Sequence, residues 1–167
     1  VENNLVRLGK ITIPELMPIV ASENIYFYRN KMEFSFSDMR WLTPEEIKKA
    51  NEITDRNGLG FHIAGAWDKV LDIEKCYLQA DPSNAIRLEI KRFALENNIA
   101  FYSPRQQTGV LRSMMIRISS TGEIMLVIQF FSDSKKCNLL LEHIAQTFPQ
   151  ITSLQYCINS KGNDAIY

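Results

Sequence analysis

The chain has 167 residues, about one domain's worth, and its composition of 46% hydrophobic and 23% charged residues excludes a disordered polymer. Lysine plus arginine is 19 and aspartate plus glutamate is 19, so the net charge is zero. That excludes a protein that grips a polyanion by bulk charge; any such site must be a local patch.

Val1 to Leu8 reads as the last turns of a helix, with Leu5 and Leu8 on one face and Gly9 as its stop. Pro14 and Pro18 hold an extended connector. Lys31 to Ser37 alternates, with Met32, Phe34 and Phe36 on one side and Lys31, Glu33, Ser35 and Ser37 on the other, a strand with one buried face. Thr43-Pro44-Glu45-Glu46 is a capping box. It opens a short helix running to about Ile53, with Ile47 as nearly its whole apolar surface. Asn57-Gly58 predicts a turn, Leu59 to Ala64 a strand, and Val70 to Ile73 a shorter one.

Asp81-Pro82 opens the clearest helix. Ile86, Ile90, Phe93 and Ala94 form its stripe, Arg87, Lys91 and Glu96 lie mostly elsewhere, and Asn97-Asn98 ends it. Leu111 to Ser119 and Ile124 to Phe131 are strands of a hairpin about Ser120-Thr121-Gly122; the second, apolar on both faces, is expected to be central. A helix over Ser134 to Phe148, a strand over Ile151 to Asn159 and a polar loop over 160–164 complete the chain. The expected fold is one α+β domain with a mainly antiparallel sheet packed by two principal helices.

No apolar run of about 18 residues is present, so no membrane span is expected, and no signal peptide is visible. Three unpaired-looking cysteines, Cys76, Cys137 and Cys157, point to a reducing, cytoplasmic compartment. Catalytic motifs are scarce. Gly58-Leu59-Gly60 lacks the third glycine and the following helix of a nucleotide loop. His143 reads as structural and His62 as a half-exposed strand residue. Asp72, Glu74 and Cys76 stand at alternate positions, thin support for a metal or for an independent active site with His62. Tyr26-Phe27-Tyr28-Arg29-Asn30-Lys31 interleaves rings with charges; Arg112 and Arg117 flank a strand, and Arg105-Gln106-Gln107 forms a polar loop before it. Such residues either stack and hold single-stranded RNA or divide into core rings and solvated charges.

Several segments occur in a family-specific order: Tyr28-Arg29-Asn30-Lys31, Gly60-Phe61-His62, Asp68-Lys69-Val70-Leu71-Asp72-Ile73-Glu74-Lys75-Cys76, Leu111-Arg112 with Ile116-Arg117, and Ile151-Thr152-Ser153-Leu154 with Asn159 and Asn163-Asp164. With them the chain resembles the central region of the S-adenosylmethionine-dependent RNA (uracil-5-)-methyltransferases, the ribosomal-RNA type in particular, least closely over residues 37–58. The resemblance implies that residues 1–167 are the central domain of a larger enzyme, flanked by an N-terminal RNA-binding barrel and a C-terminal catalytic domain that holds S-adenosylmethionine. The piece would be inactive alone. It implies RNA contact by Arg29, Asn30 and Lys31, then by Phe61 and His62 as a stacking and hydrogen-bonding pair. Arg112 would bind phosphate or, the preferred alternative, act as an internal ion-pair partner. Cys76 matches the fourth thiolate of an iron–sulfur cluster found in some members, whose other ligands would precede residue 1. The alternative is a scaffold that spaces the flanking domains and touches no RNA.

Overall fold

The alternation of Met32, Phe34 and Phe36 becomes β1 (Lys31–Ser37), the middle of a six-stranded sheet in the order β3-β2-β1-β4-β5-β6. This is a computed structural model, and it describes residues 1–49 and 52–162. The other strands are β2 (Gly58–Ile63), β3 (Ala66–Asp72), β4 (Leu111–Ile118), β5 (Ile124–Phe130) and β6 (Ile151–Ile158). All neighbours pair antiparallel except β5 and β6, which are parallel. A parallel pair needs a crossover, and α3 (Lys135–Thr147) supplies it.

One face of the sheet carries both principal helices, α2 (Ser83–Glu96) and α3. Met32, Phe34 and Phe36 cluster there with Ile86, Ile90, Leu140 and Ile144 and with Met114, Ile116, Leu126 and Ile128 of β4 and β5. The expected α+β architecture is therefore present. β5 lies inside the sheet as expected, but only one of its faces is fully buried; Met125 and Val127 are half-buried on the other.

Local expectations fared unevenly. The capping box forms, with Thr43 Oγ1 accepting from Glu46 N at 3.2 Å and Glu46 Oε2 accepting from Thr43 N at 2.9 Å. Its helix, α1 (Pro44–Lys48), ends well before Ile53 because little apolar surface holds it down; Ile47 is exposed. Residues 50–51 of that expected helix lie outside the described residues, as do 163–164 of the terminal loop. The Asn57-Gly58 turn does not form: Gly58 opens β2 beneath the Arg40 side chain. β3 starts earlier than Val70, because a bulge between His62 and Ile63 lets Ala66 rejoin the ladder. At the start of the chain, Asn4–Leu8 form one wide helical turn with no buried residue.

The largest departure is Arg87. Helical spacing sets it off the apolar stripe, yet it is fully buried. Its guanidinium lies 5.3 Å from the Phe34 ring and donates to the carbonyls of Ile73 (2.5 Å), Glu74 (3.0 Å) and Leu59 (3.4 Å). Burial pushes its pKa down, with Asp72 opposing, and the group stays charged because arginine starts so high. His143 is structural as expected: it stacks on Phe93 at 4.0 Å and bonds Glu89 at 2.6 Å, joining α3 to α2.

Two outcomes follow from these contacts. Arg87→Met strips donors from three carbonyls and is expected to cost about 3 kcal/mol, read as a lower urea midpoint at unchanged slope. Glu89, hydrogen-bonded first by Arg92 and then by His143, has its carboxyl lowered from 4.5 to about 2. Its contribution is present above pH 4.5 and lost as pH falls toward 2. The stability gap between the native chain and Glu89→Gln therefore closes over that acid range, a trend that thermal melts against pH will follow.

Candidate nucleic-acid interface

The second face of the sheet carries no helix among the described residues. By strand alternation it presents Lys31, Glu33 and Ser35 of β1, His62 of β2, Ser113, Met115 and Arg117 of β4, and Val127 and Gln129 of β5. A groove of about 310 Å³ runs over Ser35, His62, Ser113, Met115 and Val127. Beside it lies a cavity of about 170 Å³ where His62, Trp67, Tyr102, Gln107 and Arg112 converge. The face is thus polar with a few apolar bodies, unlike the opposite one. In it Ser113 Oγ donates to Gln129 Oε1 at 2.7 Å, while Gln129 Nε2 is buried without a partner among the described residues.

Arg29, Asn30 and Lys31 stay together where the connector joins β1. The backbone N–H of Phe27 donates to Tyr77 O at 2.8 Å and that of Arg29 to Leu78 O at 2.9 Å, so the segment is strapped to residues 77–78. Gln79, itself buried, donates to Asn30 O at 3.0 Å and Ile116 O at 3.2 Å, and Ser83 Oγ holds its amide oxygen at 2.5 Å. Arg29 and Asn30 are exposed, and Lys31 pairs with Glu33 at 2.9 Å. Tyr26, Phe27 and Tyr28 are 57%, 45% and 64% exposed, so these rings do not belong to the core. Tyr77 joins them at 5.7 Å from Tyr26, with Lys75 over its ring.

Phe61 and His62 do not meet as a pair. Neighbours on a strand point to opposite faces, and Phe61 packs at 5.2 Å from Phe34 on the helix side while His62 stands exposed on the open side. Arg112 is 3% exposed, lies 4.9 Å from the Tyr102 ring and donates to the carbonyls of Asn159 (2.8 Å) and Lys161 (2.6 Å); it is internal as preferred from sequence, and these partners are carbonyls where an ion pair was expected. A bulge between Leu111 and Ser113 is what turns it into that corner. Trp67 and Tyr102 were not singled out by sequence, and Gln107 only as part of the polar loop Arg105-Gln106-Gln107. An exposed tryptophan two residues past Gly65 was the available signal for the first; the other two reach the cavity only through long-range folding.

Charges here are sorted by pairing. Arg105 holds the buried Asp68 carboxyl at 2.5 Å and lowers its pKa. Lys91 takes Asp72, and Arg40 takes Glu46 at 2.7 Å, lowering that carboxyl too. Arg117, opposite Lys31 in the ladder, is exposed and has no carboxylate partner among the described residues. Asp72, Glu74, Cys76 and His62 do not gather into a site. Asp72 faces Lys91, Arg87 bonds the Glu74 carbonyl, and no cluster of metal-ligating side chains occurs among the described residues.

Cys76 is 3% exposed within the core, and its backbone is bonded twice by the Asn84 side chain, at 2.7 and 3.1 Å. Its thiol lies within the core, and the other thiolates of the cluster that the resemblance implies would precede residue 1. Gly58 and Gly60 cradle no cofactor either. A Cβ on Gly60 would stand 2.0 Å from Leu71 O, so that glycine serves close strand pairing. No described helix is long and apolar enough to cross a membrane.

No protein-family model matches the chain. It is 50% identical over 170 aligned positions to an uncharacterized RNA methyltransferase of Bacteroides thetaiotaomicron, covering 99% of this chain and 37% of that protein. It is 48% identical to one of Porphyromonas gingivalis over the same shares, and 31% identical to one of Chlorobaculum tepidum, covering 90% of this chain and 32% of that protein. The chain thus spans little more than a third of the length of the relatives it matches. Among solved structures it resembles the tRNA (uracil-54, C5)-methyltransferase of Pyrococcus abyssi in complex with S-adenosyl-L-homocysteine, with TM-score 0.61 and 21% identity over 87% of this chain and 31% of that one. At that identity the likeness shows the fold. The resemblance to RNA methyltransferases drawn from the ordered motifs is borne out by these relatives.

Gln79→Leu tests how the Arg29–Lys31 segment is held. It leaves Asn30 O with one donor fewer and Ile116 O and Ser83 Oγ without their Gln79 partner. Amide exchange at Arg29 and Ile118, which bond across this strap, is expected to quicken about tenfold, with α3 amides unchanged.

Proposed function

We propose that this chain, alike along nearly its whole length to segments of proteins named RNA methyltransferases, is the RNA-facing central domain of a longer enzyme. That enzyme transfers the methyl group of S-adenosylmethionine to C5 of a uridine, in ribosomal RNA in particular. The chain itself is non-catalytic: cofactor and nucleophile come from the flanking catalytic domain, and a barrel adds RNA affinity. What carries the reading is the helix-free sheet face, bordered by Arg29, Lys31 and Arg117 and furnished with His62, Ser113 and Gln129. Exposed cations supply attraction to phosphate, while exposed rings at 26–28 and 67 supply stacking surfaces for unpaired bases. A target uridine must leave its stack for C5 to be reached, so a surface that holds the strand beside it suits this role.

The zero net charge favours a second reading, a scaffold without RNA contact. A salt titration with a uridine-bearing RNA hairpin and its DNA counterpart separates the two. The RNA-facing domain binds RNA in preference, with log K falling against log salt at a slope of about −2, and Arg29→Glu flattens that slope by about one or more. Absence of binding at low salt would leave the scaffold.

A further inference from the structure

We propose that the pocket around Trp41, at the β3 edge, is a subsite for one unpaired nucleotide of single-stranded RNA: the indole stacks on the base, and Lys69 and Arg56 meet the adjoining phosphate. The proposal rests on the RNA-facing reading above and extends it beyond the helix-free face. All its lining residues but Lys69 come from residues 37–58, where the sequence resembles its family least.

The pocket has a volume of about 230 Å³ and is lined by Arg40, Trp41, Leu42, Ile47, Arg56 and Lys69, without a carboxylate among them. Arg40 is committed to Glu46. Among the described residues, neither Arg56 nor Lys69 has a carboxylate partner. Leu42 enters the core, but Trp41 remains 38% exposed and Ile47 59% exposed. The Lys69 ammonium stands over the Trp41 ring, 5.3 Å from its centroid, a cation–π contact that a base stacking on that face displaces toward its own phosphate.

The platform is rigid where it matters. Trp41 N donates to Val70 O at 2.7 Å, Val70 N to Met39 O at 3.3 Å, and Arg40 N to Arg56 O at 2.7 Å. Arg56 returns a bond from its guanidinium to Arg40 O at 3.3 Å. The tryptophan backbone is therefore fixed to the sheet edge while its ring stays partly outside. The surface is also continuous with the proposed interface: Trp67 lines the cavity beside His62, and Lys69, two residues on, lines this pocket. An aromatic face with cations at hand, in a pocket lined by no carboxylate, is the arrangement that takes single strands without reading their sequence.

The chain contains two tryptophans, so Trp67→Phe leaves Trp41 as sole reporter. Titration of that variant with a short single-stranded uridine-rich RNA is expected to quench its fluorescence with the same midpoint as anisotropy of the labelled RNA. In the otherwise native chain, Trp41→Leu is expected to weaken RNA binding about tenfold. Lys69→Glu is expected to weaken it and lower the salt slope by about one or more, with melting temperatures near native for both. RNA binding that leaves Trp41 unquenched and is unchanged in Trp41→Leu and Lys69→Glu would overturn the subsite and leave the RNA-facing reading standing. A native chain that binds no RNA at low salt would overturn both.

Discussion

The buried guanidinium of Arg87 is the contact on which the arrangement of this sheet depends. From α2 it reaches the carbonyl of Leu59 in β2 and those of Ile73 and Glu74 just past β3, with Phe34 of β1 beneath it. A charge in this position is costly unless its donors are used. The carbonyls of Ile73 and Glu74, just past the end of β3, are costly in the same way, because no ladder partner remains for them. Each need answers the other, and the bond holds only when α2, β2 and the exit of β3 are together. A leucine at the same place would bury as well but would leave those carbonyls unpaired.

That junction also sets the position of the proposed interface. The chain leaving β3 passes Arg87, places Cys76 on the Asn84 side chain and reaches Gln79, whose amide holds Asn30. The strap at 77–79 is therefore fixed from α2 on one side and grips the start of β1 on the other. Arg29 to Lys31 are exposed residues on a backbone tied to the core, a combination that costs a ligand little ordering entropy.

How much of this was legible in the sequence depended on the range of the interactions. β1, the 111–130 hairpin and both long helices were written in local periodicity, and the Thr43 cap in a motif of adjacent residues, so they appear close to their expected bounds. Arg87 was not legible, because helical spacing marks an arginine beside a stripe as solvated and nothing local reveals three waiting carbonyls. The split of Phe61 from His62 was legible, since neighbours on a strand must diverge. The cavity beside His62 was not: Tyr102 and Gln107 come from a loop about forty residues away in sequence, and Arg112 turns into it through a bulge that no pattern announces.

Zero net charge and an affinity for RNA are compatible once the carboxylates are followed individually. Glu89 is engaged by Arg92 and His143, Asp72 by Lys91, Asp68 by Arg105 and Glu46 by Arg40. Every one of these acids faces a cation at contact distance, so its field is largely cancelled a few ångströms away. Arg29, Arg56, Lys69 and Arg117 have no carboxylate at contact distance among the described residues, and their fields are screened mainly by solvent and salt. They sit near the start of β1, on the open face and at the β3 edge, away from the α2–α3 ion pairs. The zero sum also counts exposed acids that stand in no ion pair, Glu15, Asp81, Asp133 and Glu142 among them, so what a phosphate within a Debye length meets is set by local placement and not by the total. Binding built this way would be short-ranged and lost early as salt rises.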